Sequence, residues 1–393
     1  MFSFFRRYST SQVVSVYAAN VVLALHFALI LFANSTFLEE SFSNTAISLL
    51  YAGGSILSVF IFLLIPHIIE RFTIFTTALF FILCEFISIG GMAVAGNPVI
   101  LATLFVLHTA LISILFYICD VYLEKSTKEE VVTGSTRGTY LTLTNIAFMI
   151  APLLTGIIVS VYGYRYVYAC SALLLFPLLY MFIKWLRPIR SESEVLVPTN
   201  IPKDTTISIR NKKIFYPLFA QIVLQFFFAF MVIYLPIYLI TEIGFTWKIL
   251  GPIFTIMLLP YVLFELPVGY LADSRYGEKE FMIGGFLLIA ATMVAITLPE
   301  TPHAILWSVL LFLSRVGASF AEITTETNFF RQVDGSDEGI ISLFRLSRPL
   351  AYVLAAIVGT ISLAYLPFTA LFLVLAGIIL VGVIVLLPMK DSR

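Results

Sequence analysis

Long apolar blocks alternate with short polar breaks along the whole chain. The blocks fall at roughly 13–32, 44–65, 73–94, 99–122, 138–160, 164–184, 214–240, 247–272, 281–298, 303–328, 340–362 and 367–388. About 20 apolar residues in a helix cover the ~30 Å hydrocarbon core of a bilayer. Backbone polar groups cannot stay unpaired in lipid, and these blocks lack the polar–apolar alternation of barrel strands, so each is predicted to be a helix. The breaks carry turn chemistry: Gly96-Asn97-Pro98, Tyr162-Gly163-Tyr164, Pro299-Glu300-Thr301-Pro302. The pattern predicts an all-α membrane protein of twelve transmembrane helices. The first block follows Arg6 and Arg7, exceeds a signal-peptide core and lacks a small-residue cleavage site, so it reads as an uncleaved span.

Basic residues set the orientation. One set of breaks holds Arg71, Lys125, Lys128, Lys184, Arg187, Arg190, Lys203, Arg210, Lys212, Lys213, Arg275, Lys279 and Arg331, and the other holds little beyond Arg165 and Lys248. The positive-inside rule then places both termini in the cytoplasm of a multi-pass protein in the plasma (inner) membrane. The longest polar stretch, with Pro188, Pro198 and Pro202, lies mid-chain on that side. It divides the chain into a six-helix bundle over 1–185, a linker over 186–213 and a second six-helix bundle over 214–393.

Composition narrows the function classes. Hydrophobic residues make up 60% and charged residues 12%, too little polar surface for a soluble chain of 393 residues. Net charge is zero and no basic stripe exists, so a nucleic-acid partner is not expected. The 3 cysteines and 4 histidines are dispersed without ligand spacing, so neither metal nor cofactor is expected. No nucleophile–base constellation or phosphate loop suggests an enzyme.

The halves echo one another at an offset of about 205 residues, as in transporters built from parallel repeats. Pro66-His67-Ile68-Ile69-Glu70-Arg71-Phe72 closes the second block, and Pro267 to Lys279 closes the eighth. Leu104-Phe105-Val106-Leu107-His108 matches Leu311-Phe312-Leu313-Ser314-Arg315. On these residues the chain resembles the major facilitator superfamily. Gly269 to Lys279, with Gly269, Asp273, Arg275 and Gly277, is similar to that family's G-x-L-A-D-R-x-G-R-K signature, with one extra residue and in the second half instead of the first. Ala151-Pro152-Leu153-Leu154-Thr155-Gly156 resembles its G-P-x-x-G-G antiporter motif, with two small residues altered. Tyr162-Gly163-Tyr164-Arg165-Tyr166-Val167-Tyr168 looks like its G-W-R-W-V-F pattern.

Charge at a helix centre in a membrane costs at least about 2.5–3.5 kcal/mol, so intramembrane ionisable residues are functional candidates. In the tenth block Arg315, Ser319, Glu322 and Glu326 share one stripe at helical spacing. The arginine either pairs with a glutamate or binds an anionic substrate group, and Glu322 or Glu326 is a candidate proton carrier. The alternative is a structural charge cluster with Arg345 and Arg348. Glu85 is a lone acid in the third block, with a coupling or a packing role open. Glu265 is read as part of the gate, and Asp120 and Glu124 as interfacial beside Lys125 and Lys128.

The resemblance further implies a central cavity lined by the first, fourth, seventh and tenth helices. Its candidate polar liners here are Asn20, His26, His108, Gln221 and Gln225. It also implies a cytoplasmic latch, with Glu70 and Arg71 against Arg345 and Arg348, and Asp273 capping the fifth helix near Arg137. The expected function is secondary active transport of a small molecule by alternating access, proton-coupled, with efflux favoured by the antiporter-like motif and opposed by the lack of an acid in the first block. The alternatives are a lipid or amphiphile translocator and a non-transporting sensor or assembly factor. A monomer in the bilayer is expected.

Overall fold

The computed structural model describes residues 10–126, 130–186, 206, 208, 210–272, 277–333 and 338–389. The described residues form helices and no strands. In chain order these are α1 (Thr10–Leu31), α2 (Ala33–Glu39), α3 (Asn44–Val94), α4 (Pro98–Ser126), α5 (Glu130–Tyr162) and α6 (Tyr164–Lys184). After residue 211 come α7 (Lys212–Thr241), α8 (Trp247–Leu271), α9 (Glu278–Ile296), α10 (Ala304–Gln332), α11 (Glu338–Tyr365) and α12 (Ala370–Leu386). Most of the proposed linker (187–205, 207 and 209), together with Asp273 and Arg275, lies outside the described residues.

Ten helical segments among the described residues are long and apolar enough to cross a membrane, and α12 is a shorter apolar helix. Two boundaries differ from the sequence expectation. The first span runs to Glu39 as α1 plus α2, because Asn34, Ser35 and Thr36 are buried in protein instead of ending the span in solvent. The second and third spans are not separated by a loop. α3 is helical over 51 residues, or about 77 Å, far beyond one bilayer core. It is interrupted at Thr73, with φ 62° and ψ 153°. The Thr73 hydroxyl accepts from the Thr76 N–H and so caps the second arm. Pro66 and Glu70-Arg71 remain helical because the reversal needs only that one left-handed residue.

Packing follows which faces are apolar all round. The apolar window of α7 is 83% buried and that of α5 only 28%, so α7 runs through the protein interior while α5 turns a broad face outwards. Outward-facing Leu49, Phe60, Ile157, Leu173, Ile305 and Ile361 present the hydrocarbon surface that lipid requires. α1 packs on α4, α5 and α6, and α3 on α4 and α6. α7 packs on α10, α11 and α12, and α9 on α10 and α12. Contacts between the N-terminal and C-terminal helices run through α5 on α8, α3 on α11 and α2 on α7.

Small residues allow the closest of these contacts. A Cβ on Gly156 would come 2.6 Å from the Trp247 carbonyl oxygen, and one on Gly251 2.8 Å from that of Pro152. Backbones can approach this closely only where side chains are absent. The antiporter-like segment is thus the α5 face that meets α8, and Thr155 fastens it to α1 by donating to the Leu29 carbonyl (2.6 Å).

Candidate functional site

Two clusters of ionisable side chains lie inside the helix assembly. In the N-terminal helices, Glu85 of α3 is fully buried between two histidines. Its Oε1 accepts from His108 Nδ1 of α4 at 2.5 Å and from His26 Nε2 of α1 at 3.1 Å. His26 Nδ1 in turn faces the Ser171 carbonyl oxygen at 2.9 Å on α6. Both nitrogens of His26 therefore face oxygen atoms, and Nδ1 also meets the Ser171 hydroxyl at 2.8 Å. Ser171 completes the cluster by donating to the His26 carbonyl at 2.8 Å. Four helices are tied together through one carboxylate.

His108 also faces a cavity of ≈ 30 Å³ between α1, α3, α4 and α11. Such a volume holds one water molecule. Hydroxyl and amide groups (Asn34, Ser55, Ser58, Thr109) line its α2, α3 and α4 side, and Arg348 and Tyr352 line its α11 side. The Arg348 guanidinium sits 5.4 Å from the Phe27 ring centroid and beside the Tyr352 hydroxyl.

In the C-terminal helices, Arg315 of α10 is 2% exposed. Its guanidinium lies over Phe227 and Phe228 of α7, at 4.7 and 5.6 Å. Tyr261 and Glu322 lie within its electrostatic reach, yet Nε and Nη1 have no hydrogen-bond partner. The expected Arg315–Glu322 ion pair is therefore not formed, because the aromatic faces of α7 hold the guanidinium instead. Glu322 interacts with Glu326, Arg315 and Arg348, and Glu265 of α8 with Glu322 and Glu326. Asn145 of α5 donates to Glu265 at 2.8 Å, linking this group to the N-terminal helices.

The sequence-predicted residues sort by depth. Asn20 donates to Thr144 at 2.5 Å, joining α1 to α5. Gln221 is buried with its Oε1 unpartnered, whereas Gln225 is half-buried, so the pair shares a face without sharing an environment. The latch expected of Glu70 and Arg71 is not formed: both are exposed, and Arg71 lies over its neighbour Phe72. Arg345 is held instead by Glu124 of α4 at 2.8 Å, and Arg137 of α5 lies 4.0 Å from the same carboxylate and over the Phe330 ring. Glu124, read as interfacial at the inner end of its span, is half-exposed and bridges α4 to α11. Gly269 lets α8 approach Ile323 of α10, and Gly277 precedes α9 at φ 87°. The His26–Glu85–His108 cluster was missed as a unit. Its signal was three titratable residues at matching depth in three spans.

At the end away from the basic breaks, the N- and C-terminal helices meet through neutral groups. Phe32 and Phe254 rings lie 4.9 Å apart, Tyr164 accepts from Trp247 Nε1 at 2.7 Å, and the Ser48 and Tyr234 hydroxyls lie 2.7 Å apart. At the basic end they meet through Glu124, Arg345, Arg137, Asn145 and Glu265. A small cavity with one charged, hydroxyl-bearing edge thus lies between N- and C-terminal helices, inside apolar spans. The Major Facilitator Superfamily model matches residues 16–333 and 248–393, and the chain belongs to that family, a transporter family and not an enzyme family. In solved structures it is similar to the nucleoside transporter NupG (13% identity, 97% of this chain and 100% of that one, TM-score 0.76). It is similar also to a POT family transporter in complex with 5-aminolevulinic acid (12% identity, 96% and 95%, TM-score 0.77). A third is the peptide transporter POT in complex with alafosfalin (13% identity, 96% and 93%, TM-score 0.75). At these identities the likeness is one of fold. No curated protein matches the chain in sequence.

Proposed function

We propose that the chain is a proton-coupled secondary active transporter that carries a small molecule through the space between its two halves by alternating access. Splitting α3 at Thr73 and including α12 brings the ten long segments to twelve spans. These group as bundles over 1–185 and 214–393 around the linker 186–213. The basic end is the cytoplasmic one, both termini lie there, and the membrane is the inner membrane. The Ala151–Gly156 segment favours efflux. The protein acts as a monomer.

The observation that carries proton coupling is the charge balance where the halves meet. Among the described residues, Asp120, Glu124, Glu265, Glu322 and Glu326 face Arg137, Arg315, Arg345 and Arg348, five carboxylates against four guanidiniums. An unbalanced charge in the membrane is costly, and a bound proton on Glu322 or Glu326 removes it. Glu85 with its two histidines is a second place where a proton can be held. The amphiphile reading draws on an apolar groove of ≈ 800 Å³ at Lys248, but α8 and α10 alone line it, so it does not open between the halves.

The test is proton movement in proteoliposomes. A pH gradient should drive substrate movement by the wild type, and Glu322→Gln should abolish the gradient-driven component while leaving exchange of substrate at equal pH. If Glu322→Gln and Glu326→Gln both keep full gradient-driven transport, coupling through α10 is wrong.

A further inference from the structure

The cavity beside His108 carries chemistry that the transport reading leaves open. Its one permanent charge is Arg348, and Arg348 makes no ion pair among the described residues. Its neighbours are the Phe27 ring and the Tyr352 hydroxyl. Arg345, one helical turn earlier on α11, does have a carboxylate partner in Glu124. Across the cavity the Ser58 hydroxyl is buried without a hydrogen-bond partner. His108 spends Nδ1 on Glu85, and its Nε2 has no protein partner. With Nδ1 directed at Glu85, Nε2 is the ring nitrogen left for the cavity, and in the Nδ1–H tautomer it accepts a hydrogen bond there. Phe27, Tyr51 and Tyr352 provide flat apolar walls.

A guanidinium with no carboxylate in contact (Glu322 acts on it only at longer range), an imidazole acceptor, a free hydroxyl and aromatic walls together specify a ligand. Its anionic end matches the guanidinium fork in a charge-assisted pair. Its other end must donate a hydrogen bond to His108. Its body must tolerate ring contact. We propose that this cavity binds a small organic carboxylate bearing a hydroxyl or amino group, with the carboxylate on Arg348 and the donor on His108. The proposal deepens the transport reading by naming the substrate class of its cavity. The ≈ 30 Å³ volume belongs to the closed arrangement, and the site admits its ligand when the Glu124–Arg345 closure parts.

Binding to the purified full chain in detergent tests this, by titration calorimetry and by thermal stabilisation. The probes are 4-hydroxybenzoate and lactate, each paired with its neutral amide. The acids should bind and the amides should not. Arg348→Gln should weaken binding about tenfold or more, the cost of losing one charge-assisted pair, and Arg348→Lys should retain part of it. Ser58→Ala, a milder change, should weaken it less, which keeps the test decisive if Arg348→Gln fails to fold. Binding of neither acid, equal binding of acids and amides, or loss of binding in Arg315→Gln but not in Arg348→Gln would each overturn the assignment. Binding is read without a pH gradient, so the carboxylate site can stand if Glu322→Gln disproves the coupling, and the coupling can stand if no carboxylate binds.

Discussion

His108 and Arg315 occupy corresponding places in the repeat, yet their surroundings solve the burial of charge in opposite ways. His108 reaches Glu85, which also holds His26, and Ser171 completes the cluster from a fourth helix. Arg315 has no counter-charge in contact, leaves two nitrogens unpartnered and rests on Phe227 and Phe228. The first arrangement is a hydrogen-bonded cluster built on one carboxylate oxygen, Glu85 Oε1, while Oε2 is buried without a partner. The second is a cation held mainly by aromatic faces, with Tyr261 and Glu322 close by. A repeat preserves where a side chain stands on the helix, while the neighbouring helices decide what it does there. A shared carboxylate ties helices together, whereas a cation with no carboxylate in contact leaves capacity for a ligand or a proton.

The largest effect should come from removing the carboxylate that the two histidines share. Glu85→Ala leaves two buried imidazoles without their shared acceptor and should cost ~3–5 kcal/mol of stability, read as a lowered unfolding midpoint in detergent. A smaller effect is expected at Arg315. Arg315→Met removes a cation that rests on aromatic faces with no carboxylate in contact, and should cost less than ~3 kcal/mol. If Arg315→Met destabilises as much as Glu85→Ala, the guanidinium is as well partnered as the triad and the contrast collapses. A double-mutant cycle with Glu85→Gln and His108→Gln should give a coupling of ~0.5–3 kcal/mol, and the same cycle on Arg315 and Glu322 should give distinctly less. The smallest effect belongs to the half-exposed closure at the basic end. Glu124→Gln should change stability by only ~0.2–1 kcal/mol. Its signature should instead be greater labelling of a cysteine placed at Ser113, measured beside the wild-type background.

Much of the fold is legible in the chain. Blocks of apolar residues of bilayer length state where helices cross, because lipid offers no partner to an unpaired backbone group. The Thr73 reversal is not legible, since Thr73 is neither glycine nor proline and the residues before it keep a helical pattern. The cytoplasmic signature is legible as sequence, but of the latch read from it the Glu70–Arg71 half is not formed and the Asp273 half lies outside the described residues. Arg345 goes to Glu124, a residue 221 positions away that no local pattern connects to it. The tenth-helix stripe of Arg315, Glu322 and Glu326 is visible from spacing alone, because 100° per residue places them on one face. Whether two charges on that stripe touch is another matter: spacing brings them near, and Phe227 and Phe228 draw the guanidinium aside.

The amino-acid sequence by itself determined that this protein lives in a membrane, that its segments are helices, and that it carries a repeat, a basic side and a short roster of costly intramembrane charges. Those properties follow from local composition and period, which lipid reads directly. Only the tertiary structure decided the partners: His26 with Glu85 and His108, Glu124 with Arg345, Gly156 against Gly251, and Arg348 at the edge of a cavity with no carboxylate in contact. Such pairings depend on how far each helix rotates and slides against its neighbours. That adjustment is set by the sum of many small packing contacts across the bundle, and no single stretch of sequence contains it.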